Sequence, residues 1–174
     1  MSRDAMSLYL INQVGKLLNS NSDLIRSINS VLVALPDYLP VRNPVLLIRD
    51  RVINKFFIDL SPELTEAQKT KWNQRVLSET ATHNLKFQHQ MVLYPDEVDV
   101  LHLPQPEKLE RLSLPKIIQP VTFKHHNLPL AILSASVTEF DRVGEAQRIF
   151  TFIADMLALA MVARGVPVAE IEEA

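Results

Sequence analysis

Asp23-Leu-Ile-Arg-Ser-Ile-Asn-Ser-Val-Leu-Val-Ala-Leu35-Pro-Asp-Tyr-Leu-Pro40-Val-Arg-Asn-Pro44-Val-Leu-Leu-Ile48 changes its hydrophobic period half-way along. In the first half Leu24, Ile25, Ile28, Val31, Leu32 and Leu35 recur at three- and four-residue intervals, which makes one face of an amphipathic helix. Asn21 or Ser22 is the expected N-cap, and Pro36, which has no N–H to donate, is expected to stop the helix. Residues 40–44 read as a connector. Val45-Leu46-Leu47-Ile48 is then apolar at every position, as in a strand with both faces buried. Asp50-Arg51 reads as a tight turn into a second strand over 52–60, with Val52, Phe56, Ile58 and Leu60 on one face and Ile53, Lys55, Phe57 and Asp59 on a more polar one. A helix that feeds an antiparallel hairpin sets the architecture for the rest of the chain.

Before this stretch, Met6, Leu10, Val14 and Leu17 mark a first amphipathic helix over 4–19, with Ile11 and Leu18 as a flanking stripe. After it, Ser61-Pro62 places a capping serine before a proline at the first helical position, and Thr65-Glu66-Ala67-Gln68 is a second capping candidate. No Gly or Pro interrupts the chain from there to Asn84, and Trp72, Val76 and Thr80 share a helical face. Residues 87–94 read as a short strand. Residues 95–115, with prolines at 95, 104, 106 and 115, read as an irregular excursion. Strands over 116–123 and 128–136 are joined by the polar loop Lys124-His125-His126-Asn127, and Pro120 and Pro129 are expected at edges or bulges. A last, very apolar helix runs over 141–164, with Asp141 as expected N-cap and Gly165 past its C-terminus. The order α-α-β-β-α-β-β-α predicts an α+β fold. Its central antiparallel sheet is expected to carry the first and last helices on one face and the 61–84 region on the other.

Composition narrows the function. The 174 residues suit one domain with a real core. With 18 basic and 20 acidic side chains thinly spread, the net charge of −2 carries no footprint for nucleic acid. There are no cysteines, which removes disulfides, thiolate metal sites and catalytic thiols, and fits a cytoplasmic protein. The 3 glycines, at 15, 144 and 165, stand too far apart for a phosphate-cradling loop. The N-terminus lacks the apolar run of a signal peptide. The most apolar stretch, 149–163, is shorter than the roughly 20 residues that cross a bilayer.

No set of residues makes a persuasive catalytic or metal centre. His125 and His126 diverge in a loop, His83 and His89 lie six apart across an element boundary, and His102 sits in the proline-rich excursion. A metal site needs three or four converging ligands. Asp96, Glu97 and Asp99 read as a solvated acidic run, and a weak divalent-cation site there is the lesser alternative.

The last helix is apolar over most of its circumference. Ile149, Phe152, Ile153, Met156, Leu157 and Ala160 are expected to cover the sheet. Phe150, Ala154, Leu157 and Met161 form a second stripe that calls for a second partner. A homodimer through Phe150, Ala154, Leu157 and Met161, assisted by Ile11 and Leu18, is the expectation. The alternative is that the terminal helices cover each other within one chain.

The segment from Asp23 to Leu35, then Pro44-Val-Leu-Leu-Ile-Arg-Asp, then Leu60-Ser-Pro-Glu, resembles the opening of GAF domains in bacterial enhancer-binding transcription activators. Ser113-Leu-Pro-Lys-Ile-Ile-Gln-Pro-Val resembles the strand that enters the last hairpin of the family. Leu130-Ala-Ile-Leu-Ser and Ile149-Phe-Thr-Phe-Ile-Ala-Asp-Met-Leu-Ala resemble its last strand and closing helix. The chain departs from the family at Lys71-Trp72-Asn73-Gln74-Arg75, where a glycine-rich turn is usual, and at His126-Asn127-Leu128-Pro129, where a glycine is frequent. Asn54-Lys55-Phe56 is similar to the start of the motif in cyclic-nucleotide-binding members but lacks the acidic pair that follows.

The resemblance implies a non-enzymatic sensory or regulatory domain, over 1–165, of a transcription regulator or sensor histidine kinase. Residues 166–174 would then begin a linker to an output domain in the same or a partner chain. Members of the fold that reduce methionine sulfoxide or attach bilins work through cysteines, which this chain lacks. Any small effector is expected between the sheet and the middle region. Phe56, Ile58, Trp72, Val76, Thr80, His89, Met91, Tyr94 and Thr122 form the candidate set for that pocket, a mixture of apolar, aromatic and a few polar groups. The alternative is a scaffold that only dimerises or binds protein partners.

Overall fold

A computed structural model describes residues 3–19, 23–49, 56–59, 74–76, 89–97, 112–123 and 129–165. Helices α1 (Arg3–Asn19) and α2 (Leu24–Tyr38) precede strands β1 (Val41–Arg49), β2 (Phe56–Asp59), β3 (Gln74–Val76), β4 (Met91–Leu93), β5 (Lys116–Val121) and β6 (Ala131–Val137). A 3-10 turn, Phe140–Arg142, leads into α3 (Val143–Ala163). The six strands form one sheet in the order β3-β2-β1-β6-β5-β4, and every neighbouring pair is antiparallel. The expected α+β class with a central antiparallel sheet is therefore the observed one.

The helices share one face of that sheet. α2 packs on β1, and α3 packs on β5 and β6. α1 lies against both helices. Leu10, Val14 and Leu18 of α1, Ile28, Val31, Leu32 and Leu35 of α2, and Ile149, Phe150, Ile153 and Leu157 of α3 close one core with Leu46, Ile117, Val121, Leu133 and Ala135 of the sheet. Each such Leu, Ile or Phe taken from water contributes roughly 1.5–3 kcal/mol. A Cβ on Gly15 would stand 3.4 Å from Met156 Cε, and Arg164 reaches Leu18, so α1 and α3 run in the same direction.

Several boundaries differ from the sequence expectation. Pro36 lies inside α2, which continues to Tyr38. Proline this near a C-terminus removes a single helical bond, and the helix ends only where Leu39 N–H closes on the Leu35 carbonyl. The N-cap is Asp23, whose carboxylate accepts from Ile25 N–H at 3.0 Å, in place of Asn21 or Ser22. Ile25 is 55% exposed and falls off the buried face.

Residues 41–44 belong to β1. Arg42 pairs with Ser136 and Val45 with Ser134, which sets Asn43 and Pro44 together opposite Ala135 as a bulge. Asn43 takes φ 52° there, a left-handed conformation that Asn tolerates. Asp141 sits in the 3-10 turn and does not cap α3. The helix entrance is held by Arg142, which forks onto Glu145 at 2.8 and 2.9 Å and reaches Glu139 at 3.0 Å.

The Asp50-Arg51 turn, the loop at 124–127, the caps at 61–68 and the tail 166–174 lie outside the described residues. Within 61–84 the described piece, 74–76, is a strand and not part of a helix. Its backbone completes the β2 edge, with Val76 paired to Phe56 and Gln74 to Ile58. Pairing along an open sheet edge outweighs weak local helix propensity here.

Candidate functional site

The sheet face away from the helices carries the chain's second core. Strand alternation sends Val45 and Leu47 of β1, Ile132 and Ser134 of β6, Ile118 of β5, and Met91 and Leu93 of β4 to this side. Val45, Leu47, Leu93, Ile118 and Ile132 are buried together, with Met91 and Leu112 packed against them. The base of the proline-rich excursion is fastened beside them, because Asp96 N–H donates to the Leu112 carbonyl at 2.9 Å and Leu112 N–H to the Glu97 carbonyl at 3.0 Å.

Ser134 is the exceptional residue on this face. It stands between Val45 and Ile118 in the ladder and is fully buried. Its Oγ has no hydrogen-bond partner among the described residues. A hydroxyl left this way costs about 1–3 kcal/mol, and it keeps one donor and two acceptor positions available in an apolar patch. The expected pocket did not include it. The signal was present in Leu133-Ser134-Ala135-Ser136, where small polar residues fall on alternate positions of an otherwise apolar strand.

The expected pocket residues are divided. Phe56, Ile58 and Val76 lie on the β2–β3 edge and Met91 on the β4 edge, with β1, β6 and β5 between them. Four strand spacings amount to about 19 Å. Asp59 stands opposite Leu47, so Phe56 and Ile58 occupy register positions of the helix-covered face. Met91 is half-buried on the second face, Tyr94 is 49% exposed, His89 is exposed, and Thr122 is half-buried just beyond β5. Trp72 and Thr80 lie outside the described residues. These positions are neighbours by element in the sequence, whereas strand order and alternation separate them; Met91 alone coincides with the observed second core.

The residues expected at a dimer interface are placed differently as well. Leu18, Phe150, Ala154, Leu157 and Met161 are all buried in the chain's own core. α3 touches the sheet on one side and α1 on another, so the stripe expected at a dimer interface is covered within one chain. Phe152, expected to cover the sheet, is instead 51% exposed, together with Leu159 at 62%. Ile11 is half-buried and lines an open groove with Asn12, Gly15, Lys16, Asn19 and Met156. The segment Phe140–Ala163 is long and apolar enough to cross a membrane by length and composition, but its inner side is the main core of this domain.

The helix side of the sheet holds a chain of glutamines. Gln90 Nε2 donates to Gln119 Oε1 at 2.6 Å and to the Gln147 carbonyl at 2.9 Å, and Gln147 Nε2 returns a bond to Gln90 Oε1 at 3.1 Å. These bonds tie the start of β4 to α3. Elsewhere, desolvation, with Tyr9 and Asp37 adding, raises the Tyr38 phenol above its ordinary value, and its ring lies 5.6 Å from that of Tyr9. The fork with Glu145, joined by Glu139, holds the Arg142 guanidinium above the ordinary arginine range. Among the described residues no three His, Asp or Glu side chains converge as metal ligands. Of the histidines singled out, His83, His102, His125 and His126 lie outside the described residues, as does Asp99.

No family model and no curated protein matches this sequence. Solved structures do match the whole arrangement of helices and sheet. The GAF domain of A. aeolicus nlh2, in an inactive state, superposes with a TM-score of 0.70 at 13% identity, covering 94% of this chain and 99% of its own. The fold is that of GAF domains. A GAF domain from a phosphoenolpyruvate-protein phosphotransferase of Coxiella burnetii gives a TM-score of 0.72 at 19% identity, covering 93% and 96%. Residues 122 to 287 of a methyl-accepting chemotaxis protein give 0.65 at 13%, covering 87% and 96%. In this GAF fold α1 and α3 are the terminal helices on one face of the sheet, and Ser134 lies at the middle of the other.

Proposed function

We propose that the chain is a non-enzymatic sensory and regulatory domain of a bacterial signalling protein, a transcription regulator or histidine kinase. In this reading it is cytoplasmic and homodimeric, and it answers a small effector bound over the second face of the sheet. Ser134 carries the proposal. A buried hydroxyl without a partner among the described residues, set among Val45, Ile118 and Ile132, suits an uncharged or weakly polar ligand that offers one hydrogen bond. The similar structures support a regulatory setting, since one belongs to a chemotaxis protein and another is described in an inactive state.

The test is a thermal-shift screen of small metabolites against the parent chain and Ser134→Ala. A ligand that binds only the folded state raises Tm, and the rise should shrink in the variant. A hit whose shift is unchanged by Ser134→Ala removes this site from the reading. The second reading, a scaffold that binds nothing small, draws on the same face: five of its apolar side chains are already buried against one another. It predicts a screen without hits.

A further inference from the structure

The outward line of α3 is a self-complementary strip. Gly144, Arg148, Phe152, Asp155 and Leu159 follow one another at spacings of four, four, three and four, which keeps them on one side of a helix. All five are exposed, and they lie opposite the buried Ala146, Ile153 and Leu157. Two large apolar side chains thus alternate with one cation and one anion in solvent. Neither Arg148 nor Asp155 has an ion-pair partner among the described residues.

The order of charges selects the partner and its direction. We propose that this strip docks a second copy of the chain, with the two α3 helices antiparallel about a two-fold axis midway between Arg148 and Asp155. The axis sets Arg148 against the partner's Asp155 and Asp155 against the partner's Arg148. Phe152 then meets the partner's Phe152 beside the axis, and Leu159 lies over the partner's Gly144, where even a Cβ would have nothing within 4 Å. A parallel pair would instead bring Arg148 against Arg148 and Asp155 against Asp155. An interface of this kind is isologous, so the ion pair and the contact of Leu159 with Gly144 each occur twice. Arg148 and Asp155 are about 10.5 Å apart along the axis, so the contact covers only a few turns. It falls at the small end of specific interfaces, and dissociation in the micromolar range or weaker is expected. The inference rests on the homodimer reading above and is independent of any ligand at Ser134.

Sedimentation equilibrium of the full chain, from about 10 µM to about 500 µM, tests it with charge reversals. R148E and D155K should each associate at least about tenfold more weakly than the parent, since each turns two attractions into two repulsions. An equimolar mixture of the two should recover dimer, because the introduced glutamate of one chain then faces the introduced lysine of the other, and the native Asp155 of the first faces the native Arg148 of the second. The neutral pair R148Q and D155N should weaken association, and mixing them should recover less than mixing the reversals does, because only one of the two ion pairs re-forms. Far-UV circular dichroism checks that these exposed substitutions leave the fold intact. A parent chain that stays monomeric throughout overturns this interface and the homodimer reading together. A dimer insensitive to both reversals leaves the homodimer and overturns this interface. Reversals that each associate no more weakly than the parent, with a mixture of the two that associates more tightly than the parent, mean parallel helices and overturn it too, as does a parent that binds lipid vesicles through Phe152 and Leu159 while remaining monomeric in solution.

Discussion

Arg164, at the C-terminal end of α3, donates from Nη2 to the backbone carbonyl of Leu18 in the last turn of α1. Its Nη1 lies 3.4 Å from Ser27 Oγ of α2, so one side chain joins the ends of three helices. The last carbonyls of α1 lack intrahelical partners and carry the negative end of the helix dipole, which a guanidinium satisfies. Arg164→Met keeps most of the apolar stem and removes these bonds. It should lower stability by about 1–3 kcal/mol. For a chain of this size that is a fall of roughly 2–4 °C in Tm per kcal/mol, measured by thermal unfolding. An unchanged Tm would mean that the contact adds nothing.

Phe150 and Phe152 are two residues apart on α3 and should behave as opposites. Phe150 is fully buried and Phe152 is 51% exposed. Phe150→Ala leaves a cavity in the main core and should cost about 3–5 kcal/mol, whereas Phe152→Ala should change the unfolding free energy of dilute monomer by less than about 1 kcal/mol. Urea unfolding at low protein concentration measures both. Comparable losses would contradict the observed rotation of α3.

This pair also shows what the sequence did and did not disclose. Apart from residues 74–76, which form a strand where a helix is expected, the order of the described elements, both hairpin-like strand pairs and the placement of α1 and α3 on one face follow from changes of hydrophobic period and from breakers such as Gly165. The rotation of α3 does not follow. A helix with apolar residues on most of its circumference gives no period from which to choose an inward side, and here the sheet and α1 together cover about half of it. The bulge at Asn43 and Pro44 was hidden for a different reason, since proline and asparagine mark connectors as readily as irregular strand. The candidate pocket was the least legible part. Membership of a face depends on register, and one-residue alternation moved Phe56 and Ile58 away from Met91. Ser134 acquires meaning only once Val45 and Ile118 are known to flank it.

The absence of a partner on Ser134 Oγ among the described residues makes an intrinsic prediction apart from any ligand. Ser134→Ala removes a desolvated hydroxyl and leaves a side chain of nearly the same size between Val45 and Ile118. The ligand-free domain should therefore become more stable, by about 1 kcal/mol, in chemical denaturation. Most buried substitutions destabilise, so a gain would stand out. A loss of 1 kcal/mol or more would mean that the hydroxyl is satisfied in solution, and Ser134 would no longer distinguish this face.

The glutamine chain predicts an unequal pair of mutants. Gln90 takes part in three of its bonds, two as donor and one as acceptor, whereas the Gln147 side chain takes part in one. Gln90→Ala strands the mostly buried Gln119 Oε1 and frees β4, an edge strand of three residues with a single neighbour, from α3. It should cost about 1–3 kcal/mol. Gln147→Ala keeps the bond from Gln90 to the main-chain carbonyl at 147, so its cost should be about half as large. The double mutant should lose less than the sum of the two, because the bond between the side chains of Gln90 and Gln147 is removed once, not twice. Amide exchange adds a local readout: protection of Met91, Val92 and Leu93 should fall in Gln90→Ala and hold in Gln147→Ala. Equal effects at both positions, or full additivity, would show that β4 is held by its ladder to β5 alone and that the glutamines transmit nothing between this edge and α3.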